Sequence, residues 1–235
     1  GYARTLWFAA GPKETPHPRC VFLDGDHYLE SVGAQSLLSE AIARGHIPRM
    51  SFAFVAHESA AARHEDYTCN DRYASFIAED LLCWARARCS SICAAGNVVC
   101  GLSLSGLASA YIALTFPHVF SASLCQSGSF WWSKQRFVAL AREHSPIQSR
   151  YWLSVGDEET ERDLLHPPTN MHQGISQIDG VQSAVDELEA GGAEVRHHLF
   201  SGGHDFGPWG DELCDAFQWL VSDARLKTKG PASLR

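Results

Sequence analysis

The chain has 235 residues, of which 45% are hydrophobic and 20% charged, and its formal net charge is −8. This length and balance predict one globular domain over residues 1–235, with a loose tail from about residue 223. The acidic charge argues against nucleic acid or an anionic membrane surface as the main partner. No apolar run approaches the roughly 20 residues that a membrane-spanning helix needs.

Cysteine is abundant, with eight copies. Most of them sit inside apolar runs, as Cys20 and Cys125 do, which favours free buried thiols over disulfides. The spacing of Cys83, Cys89 and Cys93 contains no Cys-x-x-Cys pair, so we expect neither a metal site nor a cofactor. The predicted location is cytoplasmic, with a periplasmic location as the alternative if a signal peptide has been removed.

Short apolar runs alternate with segments of helical period along the chain. The predicted strands are residues 4–9, 20–23, 50–55, 98–101, 122–126, 150–155 and 194–199. The predicted helices are 31–43, 71–86, 175–188 with Gly191-Gly192 as its C-cap, and 211–222, and the predicted loops are 11–18, 56–70 and 157–170. Alternation of this kind predicts an α/β protein, a doubly wound and mainly parallel sheet with helices on both faces.

Residues 98–106, which read VVCGLSLSG, have the form of a nucleophile elbow. In such an elbow a strand turns directly into a helix and thrusts one serine hydroxyl, here that of Ser103, out of the backbone. The positions two residues before and after the serine must be small, and Gly101 and Ser105 meet this requirement. Ser105 stands where glycine is usual. The alternative interpretation is an ordinary buried strand followed by a helix start.

A serine nucleophile needs a base, and His204 follows the last predicted strand after two glycines that permit a sharp turn. The expected chain order is nucleophile, acid, histidine, which places the acid after the strand 150–155. Asp157 and Glu159 are both candidates there, and a solvated acidic loop is the alternative. His197 and His198 lie within a predicted strand and are expected to be structural.

An oxyanion hole requires two backbone N–H groups aimed at the developing negative oxygen. One belongs to Leu104, directly after the serine. The second should come from Asp24-Gly25-Asp26, after the strand 20–23, with the N–H of Asp26 as the candidate. An Asp-Gly-Asp turn can also hold a cation, but no further carboxylates are in register for calcium.

These residues give the chain a resemblance to the enterochelin (siderophore) esterase family, in the Putative esterase group of α/β-hydrolases. The similar segments, in family order, are FLDGD at 22–26, the loop with Arg63, Asp66 and Cys69-Asn70, SGSFWW at 127–132, and GGHD at 202–205 with Trp209. The likeness runs from about Thr5 to Leu220. It implies a single α/β-hydrolase catalytic domain without the amino-terminal accessory domain of the longer members.

The resemblance also implies site residues. The family's acid lies three residues beyond a strand-ending glycine, which makes Glu159 the expected partner of Ser103 and His204. A ferric tris-catecholate is strongly anionic, so Arg63, with Arg72 as a second possibility, is expected to bind it. Trp131 and Trp209 are expected either to stack on its aromatic rings or to pack in the wall of the site.

The implied function is that of a serine esterase that opens the ester bonds of a catecholate trilactone siderophore such as enterobactin, through an acyl-enzyme, to release iron. A carboxylesterase or acyltransferase acting on another small-molecule ester is one alternative. A non-catalytic siderophore-binding domain is another. Two departures from the family pattern, Ser105 and Asp66 (where glutamate is usual), leave the substrate open.

Overall fold

The fold is built on strands that correspond to all seven predicted ones, each within two residues at either end. A computed structural model describes residues 2–222, so the tail predicted from about residue 223 lies outside the described residues. The strands are β1 (Leu6–Ala9), β2 (Arg19–Leu23), β3 (Ser51–Val55), β4 (Asn97–Leu102), β5 (Phe120–Gln126), β6 (Arg150–Gly156), β7 (Leu164–His166), β8 (Met171–Gln173) and β9 (Glu194–Phe200).

Seven of these strands form one sheet in the order β1-β3-β2-β4-β5-β6-β9. Strand β1 is antiparallel to β3, and the other neighbours are parallel. Strands β7 and β8 form a separate antiparallel hairpin. The predicted mainly parallel α/β sheet is therefore confirmed, with the antiparallel strand at one edge.

The helices cover both faces of this sheet. They are α1 (Gly25–Glu30), α2 (Ala34–Ala43), α3 (Ala60–Asp66), α4 (Asp71–Ser75), α5 (Leu81–Arg88), α6 (Leu104–Thr115), α7 (Trp132–Glu143), α8 (Gln177–Ala190), α9 (Phe206–Asp211) and α10 (Leu213–Leu220), with a π-helical turn at Phe76–Asp80 joining α4 to α5. None of the described helices is long and apolar enough to cross a membrane.

Some local predictions were wrong. The predicted helix 31–43 begins at Ala34, because Gly33 adopts a left-handed φ of 70° that separates α1 from α2. The predicted loop 56–70 contains α3, and the predicted loop 157–170 contains β7. These elements are too short to show a periodicity that sequence alone can reveal.

The central strands are buried along their whole length, which explains their lack of polar alternation. One core lies between the sheet and α4, α5, α6 and α8, and includes Val21, Val99 and Leu153. The other lies against α2 and α10, and includes Phe22 and Phe217. The sheet is thus a fully covered layer whose strand ends are the natural place for a site.

On the second face, the buried carboxylate of Glu212 ties α10 to the sheet. It accepts hydrogen bonds from the Ser154 hydroxyl at 2.6 Å, the Trp152 indole at 3.1 Å and the Gln126 amide at 2.7 Å. The Nδ1 atom of His198 lies 2.7 Å from the second oxygen of Glu212. This hydrogen bond raises the pKa of His198.

The His198–Glu212 contact should make stability depend on pH. Because the folded-state pKa of His198 is raised, its stabilisation is complete below the unfolded-state pKa, about 6.5. It is then lost as the pH rises through the higher folded-state value. His198→Gln should therefore lower the free energy of unfolding more at pH 5.5 than at pH 8.5. The expected difference is only about 0.5 kcal/mol, because the side chain is 40% exposed.

Urea unfolding of both proteins at the two pH values measures this difference. A loss of stability that is the same at both pH values would show that the charge of His198 contributes nothing.

Candidate active site

Ser103 is the single residue between strand β4 and helix α6. Its φ of 54° and ψ of −122° lie in a region that residues other than glycine rarely adopt. Two backbone hydrogen bonds hold this conformation, from Ser103 N to Gln126 O at 2.8 Å and from Ser129 N to Ser103 O at 3.0 Å. The strained turn places Ser103 in the lining of a cavity at the carboxyl edge of the sheet.

The small residues around Ser103 are required by close backbone contacts. A Cβ atom on Gly101 would lie 2.0 Å from the carbonyl oxygen of Ser105, and one on Gly106 would lie 2.9 Å from the Cα of Gly128. Ser105 itself is fully buried. Its hydroxyl donates to Leu102 O at 2.8 Å and accepts from Leu102 N at 2.9 Å. Ser105 therefore fits and braces the turn, and it does not line the cavity.

Glu159 and His204 are in direct contact, with 2.6 Å between the carboxylate and the Nδ1 atom. The other oxygen of Glu159 accepts hydrogen bonds from the Ser127 hydroxyl at 2.6 Å and from Gly156 N at 2.8 Å. Ser103, Glu159 and His204 all line the same cavity. A serine, an imidazole and a buried carboxylate thus line one cavity, and the imidazole is hydrogen-bonded to the carboxylate, as the base and acid of a nucleophilic set are.

Asp157, the other acid that the sequence left open, has a different environment. Its carboxylate accepts a hydrogen bond from Gly202 N at 2.9 Å, which braces the loop that carries His204. It is not among the residues that line the cavity. The geometry therefore supports Glu159 as the acid and a structural role for Asp157.

Ser127 is a site residue that the sequence analysis did not single out. It is fully buried, and its φ of 45° is left-handed. Its hydroxyl donates to Glu159 and accepts from the Trp209 indole at 3.0 Å. The edge of Trp209 also meets the ring of His204, with centroids 4.9 Å apart at 87°. Trp209 is buried beside the His204–Glu159 pair and is not among the residues that line the cavity, so its contacts are those of packing around the site.

The two proposed oxyanion donors lie at helix N-termini. Leu104 is the first residue of α6 and lines the cavity. Asp26 belongs to the first turn of α1, where backbone N–H groups lack intrahelical acceptors. Asp26 is outside the cavity lining. The amino end of α6, with its partial positive charge, thus meets the cavity next to Ser103.

Arg63 lines the cavity, but its charge is compensated by Asp24. Its guanidinium donates to both oxygens of the fully buried Asp24, at 2.9 and 2.7 Å. Burial alone would raise the pKa of Asp24, but the charge of Arg63 and hydrogen bonds from His57 and Arg63 lower it below its usual range. Arg72 is an exposed residue of α4 and is not among the residues that line the cavity.

The cavity has a volume of about 370 Å³. Trp131 forms part of its wall, stacked on His166 with ring centroids 4.9 Å apart and hydrogen-bonded through its indole N–H to Gln177 at 2.6 Å. The hairpin β7–β8 supplies His166, Met171 and Gln173, which no sequence signal indicated. The ionisable lining residues are Arg63, His64, Glu158, Glu159, Glu161, His166 and His204.

The cavity lining therefore does not offer the free arginine that the sequence analysis expected to bind an anionic substrate. It contains three glutamates, and its one arginine is paired with a buried aspartate. Across residues 2–222, no group of three or more His, Cys, Asp or Glu side chains is placed to hold a metal ion.

A serine in a strand-to-helix elbow, a histidine after the last strand and an acid after the preceding one define the α/β-hydrolase class. The comparison with protein families agrees. The family model described as Putative esterase matches residues 7–220, and the chain belongs to this family.

The similar proteins of known activity are longer than this chain. It is 27% identical over 227 residues to an iron(III) enterobactin esterase from Dickeya dadantii, a match that covers 93% of this chain and 52% of that protein. A crystal structure of enterochelin esterase from Shigella flexneri superimposes with a TM-score of 0.80 at 21% identity, over 93% of this chain and 55% of the other. A second, determined in the presence of enterobactin, gives 0.78 at 22% identity over 92% and 55%. The chain thus spans about half the length of these proteins, and the structures show that the fold is shared.

Replacing the two acids should separate their roles. Glu159→Gln keeps the shape of the side chain but weakens its hold on the His204 imidazole, so kcat/KM for p-nitrophenyl acetate should fall ~10³–10⁴-fold. Asp157→Asn should change it by less than about threefold, since Asp157 contacts only the loop. Steady-state assays of the two variants decide the matter, and a larger loss in Asp157→Asn would reverse the assignment.

The Trp209–Ser127–Glu159 chain of hydrogen bonds should act as one unit. Ser127→Ala removes a hydrogen bond to a charged group, worth about 1.5–3 kcal/mol, and should lower kcat roughly 10- to 100-fold. Trp209→Phe, which removes only the indole N–H, should have a smaller effect. Because both act through the same hydroxyl, the double variant should be no slower than Ser127→Ala alone.

The matched control is Ser109→Ala, at another buried serine. The Ser109 hydroxyl lies within hydrogen-bond distance of two carbonyl oxygens, those of Gly106 at 2.9 Å and Leu124 at 3.0 Å, and does not contact the acid. The variant should keep kcat within about twofold. Multiplicative losses in the double variant would mean that Trp209 acts independently of Ser127.

Proposed function

We propose that this protein is a serine esterase that hydrolyses the ester bonds of a catechol-bearing trilactone siderophore of the enterobactin type. The proposal rests on one observation above all: the 2.6 Å contact of Glu159 with His204, in a cavity that also holds Ser103 at a strained elbow. Similarity to iron(III) enterobactin esterase from Dickeya dadantii supports the choice of substrate class.

In this mechanism Ser103 attacks the ester carbonyl while His204 takes the hydroxyl proton. Glu159 holds Nδ1 of His204, so Nε2 is the atom that exchanges protons. The N–H of Leu104, which lines the cavity, stabilises the oxyanion, and the N–H of Asp26 in the first turn of α1 is the candidate for the second donor, from outside the cavity lining. The proton on His204 passes to the departing alcohol. Water then attacks the acyl-enzyme, giving its proton to His204, and the acid is released with Ser103 restored.

Hydrolysis would release iron because the trilactone holds three catechols at high effective concentration around one metal. Opening the ring lets the arms separate, and the metal is then held less tightly without any change in the individual catechol contacts. Small-molecule sites usually have volumes of about 300–1,000 Å³. The cavity, at about 370 Å³, is therefore large enough to receive one arm of such a substrate.

A carboxylesterase or acyltransferase acting on a neutral ester is the second candidate. The observation in its favour is the acidic cavity lining, with Glu158, Glu159 and Glu161 and a compensated Arg63. An acidic lining disfavours a polyanionic substrate at the point of attack.

Mass spectrometry after incubation with ferric and iron-free trilactone tests the proposal. The wild-type protein should give linear and monomeric N-(2,3-dihydroxybenzoyl)serine products. Ser103→Ala should give none and should lower the hydrolysis of p-nitrophenyl acetate at least 10³-fold, with an unchanged circular dichroism spectrum.

Intact trilactone together with rapid hydrolysis of p-nitrophenyl acetate would favour the second candidate. A wild-type protein that binds trilactone but is as inert as Ser103→Ala on both esters would instead be a non-catalytic binding domain.

A further inference from the structure

A second cavity, of about 380 Å³, adjoins the catalytic one. Trp131 belongs to the lining of both cavities. The remaining lining residues of the second cavity are Lys134, Gln135, His172, Gly174 and Ile175. The two cavities therefore meet at Trp131, and a ligand with two arms can address both of them.

Strand β8 supplies residues to the lining of both cavities. Met171 and Gln173 line the catalytic cavity, whereas His172, between them in the chain, lines the second one. Successive side chains of a strand point to opposite faces, so one short strand supplies a wall to each side.

The backbone at Lys134 is strained. Ser133, Lys134 and Gln135 have φ angles of 46°, 55° and 63°, three consecutive left-handed residues of which none is glycine. Side chains other than glycine disfavour this region, and such strain concentrates at ligand-binding segments, where the surrounding structure enforces it. Here it brings a lysine into the lining of the second cavity.

The charge of Lys134 is available to a ligand. Within residues 2–222, its ammonium makes no hydrogen bond or ion pair. His172, by contrast, already lies 3.4 Å from Asp163. The second cavity therefore has an uncompensated cation, Lys134, and an aromatic residue, Trp131, in its lining. The catalytic cavity also contains Trp131, but its arginine is paired with Asp24.

We propose that the second cavity binds the leaving-group arm of a two-arm catechol ester, a proposal that rests on the proposed function. The acyl arm occupies the catalytic cavity, with its carbonyl at Ser103. The catechol of the departing arm lies against Trp131, and its acidic oxygens face the Lys134 ammonium. This arrangement places the positive charge for an anionic substrate outside the acidic catalytic cavity.

Two probes distinguish this site from general charge attraction: the iron-free cyclic trilactone, which has a leaving-group arm, and the methyl ester of N-(2,3-dihydroxybenzoyl)serine, which lacks one. Calorimetry in the inactive Ser103→Ala background measures binding without turnover. Adding Lys134→Gln should weaken trilactone binding about tenfold and methyl ester binding less than twofold. Lys134→Arg should retain the affinity for trilactone, and the exposed control Lys13→Gln should change neither.

In the active protein, Lys134→Gln should raise KM for the trilactone about tenfold and leave kcat within about twofold. The proposed site is overturned if Lys134→Gln weakens both ligands equally, weakens neither, or if Ser103→Ala does not bind trilactone. Failure of the proposed function has a different result: the wild-type protein leaves trilactone uncleaved, whatever the Lys134 variants do in calorimetry.

Discussion

The site depends on one close approach of backbone to backbone, where strand β4 turns into helix α6. The Cβ that any other residue would carry at position 101 would lie 2.0 Å from the Ser105 carbonyl oxygen, a contact with main chain that cannot move aside. The left-handed φ of Ser103 persists because β4 is fixed in the middle of the sheet, between β2 and β5. The hydroxyl of Ser105 then adds hydrogen bonds to both main-chain polar groups of Leu102.

Around this turn, the fold buries three carboxylates, each in contact with a histidine. A buried carboxylate is costly unless hydrogen bonds satisfy its oxygens. Each carboxylate is therefore held in place by its donors, and it in turn orients the imidazole that contacts it. Among the described residues, the pair that lines the Ser103 cavity is Glu159 with His204, whose carboxylate also accepts hydrogen bonds from Ser127 and Gly156 N. The pairs are Asp24 with His57, Glu159 with His204 and Glu212 with His198.

The need to compensate a buried carboxylate also decides which positive charges remain free for a substrate. Asp24 directly follows strand β2, where it precedes the first turn of α1, and its negative charge requires the guanidinium of Arg63. Arg63, which the sequence analysis expected to bind an anionic substrate, is therefore already paired with Asp24. An unpaired cation in the described part of the chain, Lys134, lines the second cavity instead.

The sequence by itself determined the strands, the doubly wound sheet and the elbow at Ser103, because apolar runs and the steric demand of a tight turn are local properties. It also placed His204 and reduced the acid to two residues. The family resemblance made Glu159 the expected acid. Only the tertiary structure showed the contact of Glu159 with His204, the position of Ser127 behind it and the pairing of Arg63 with Asp24. These contacts join residues 32 to 45 positions apart. It also built the hairpin β7–β8 into the cavity wall, since three-residue strands carry no periodicity of their own.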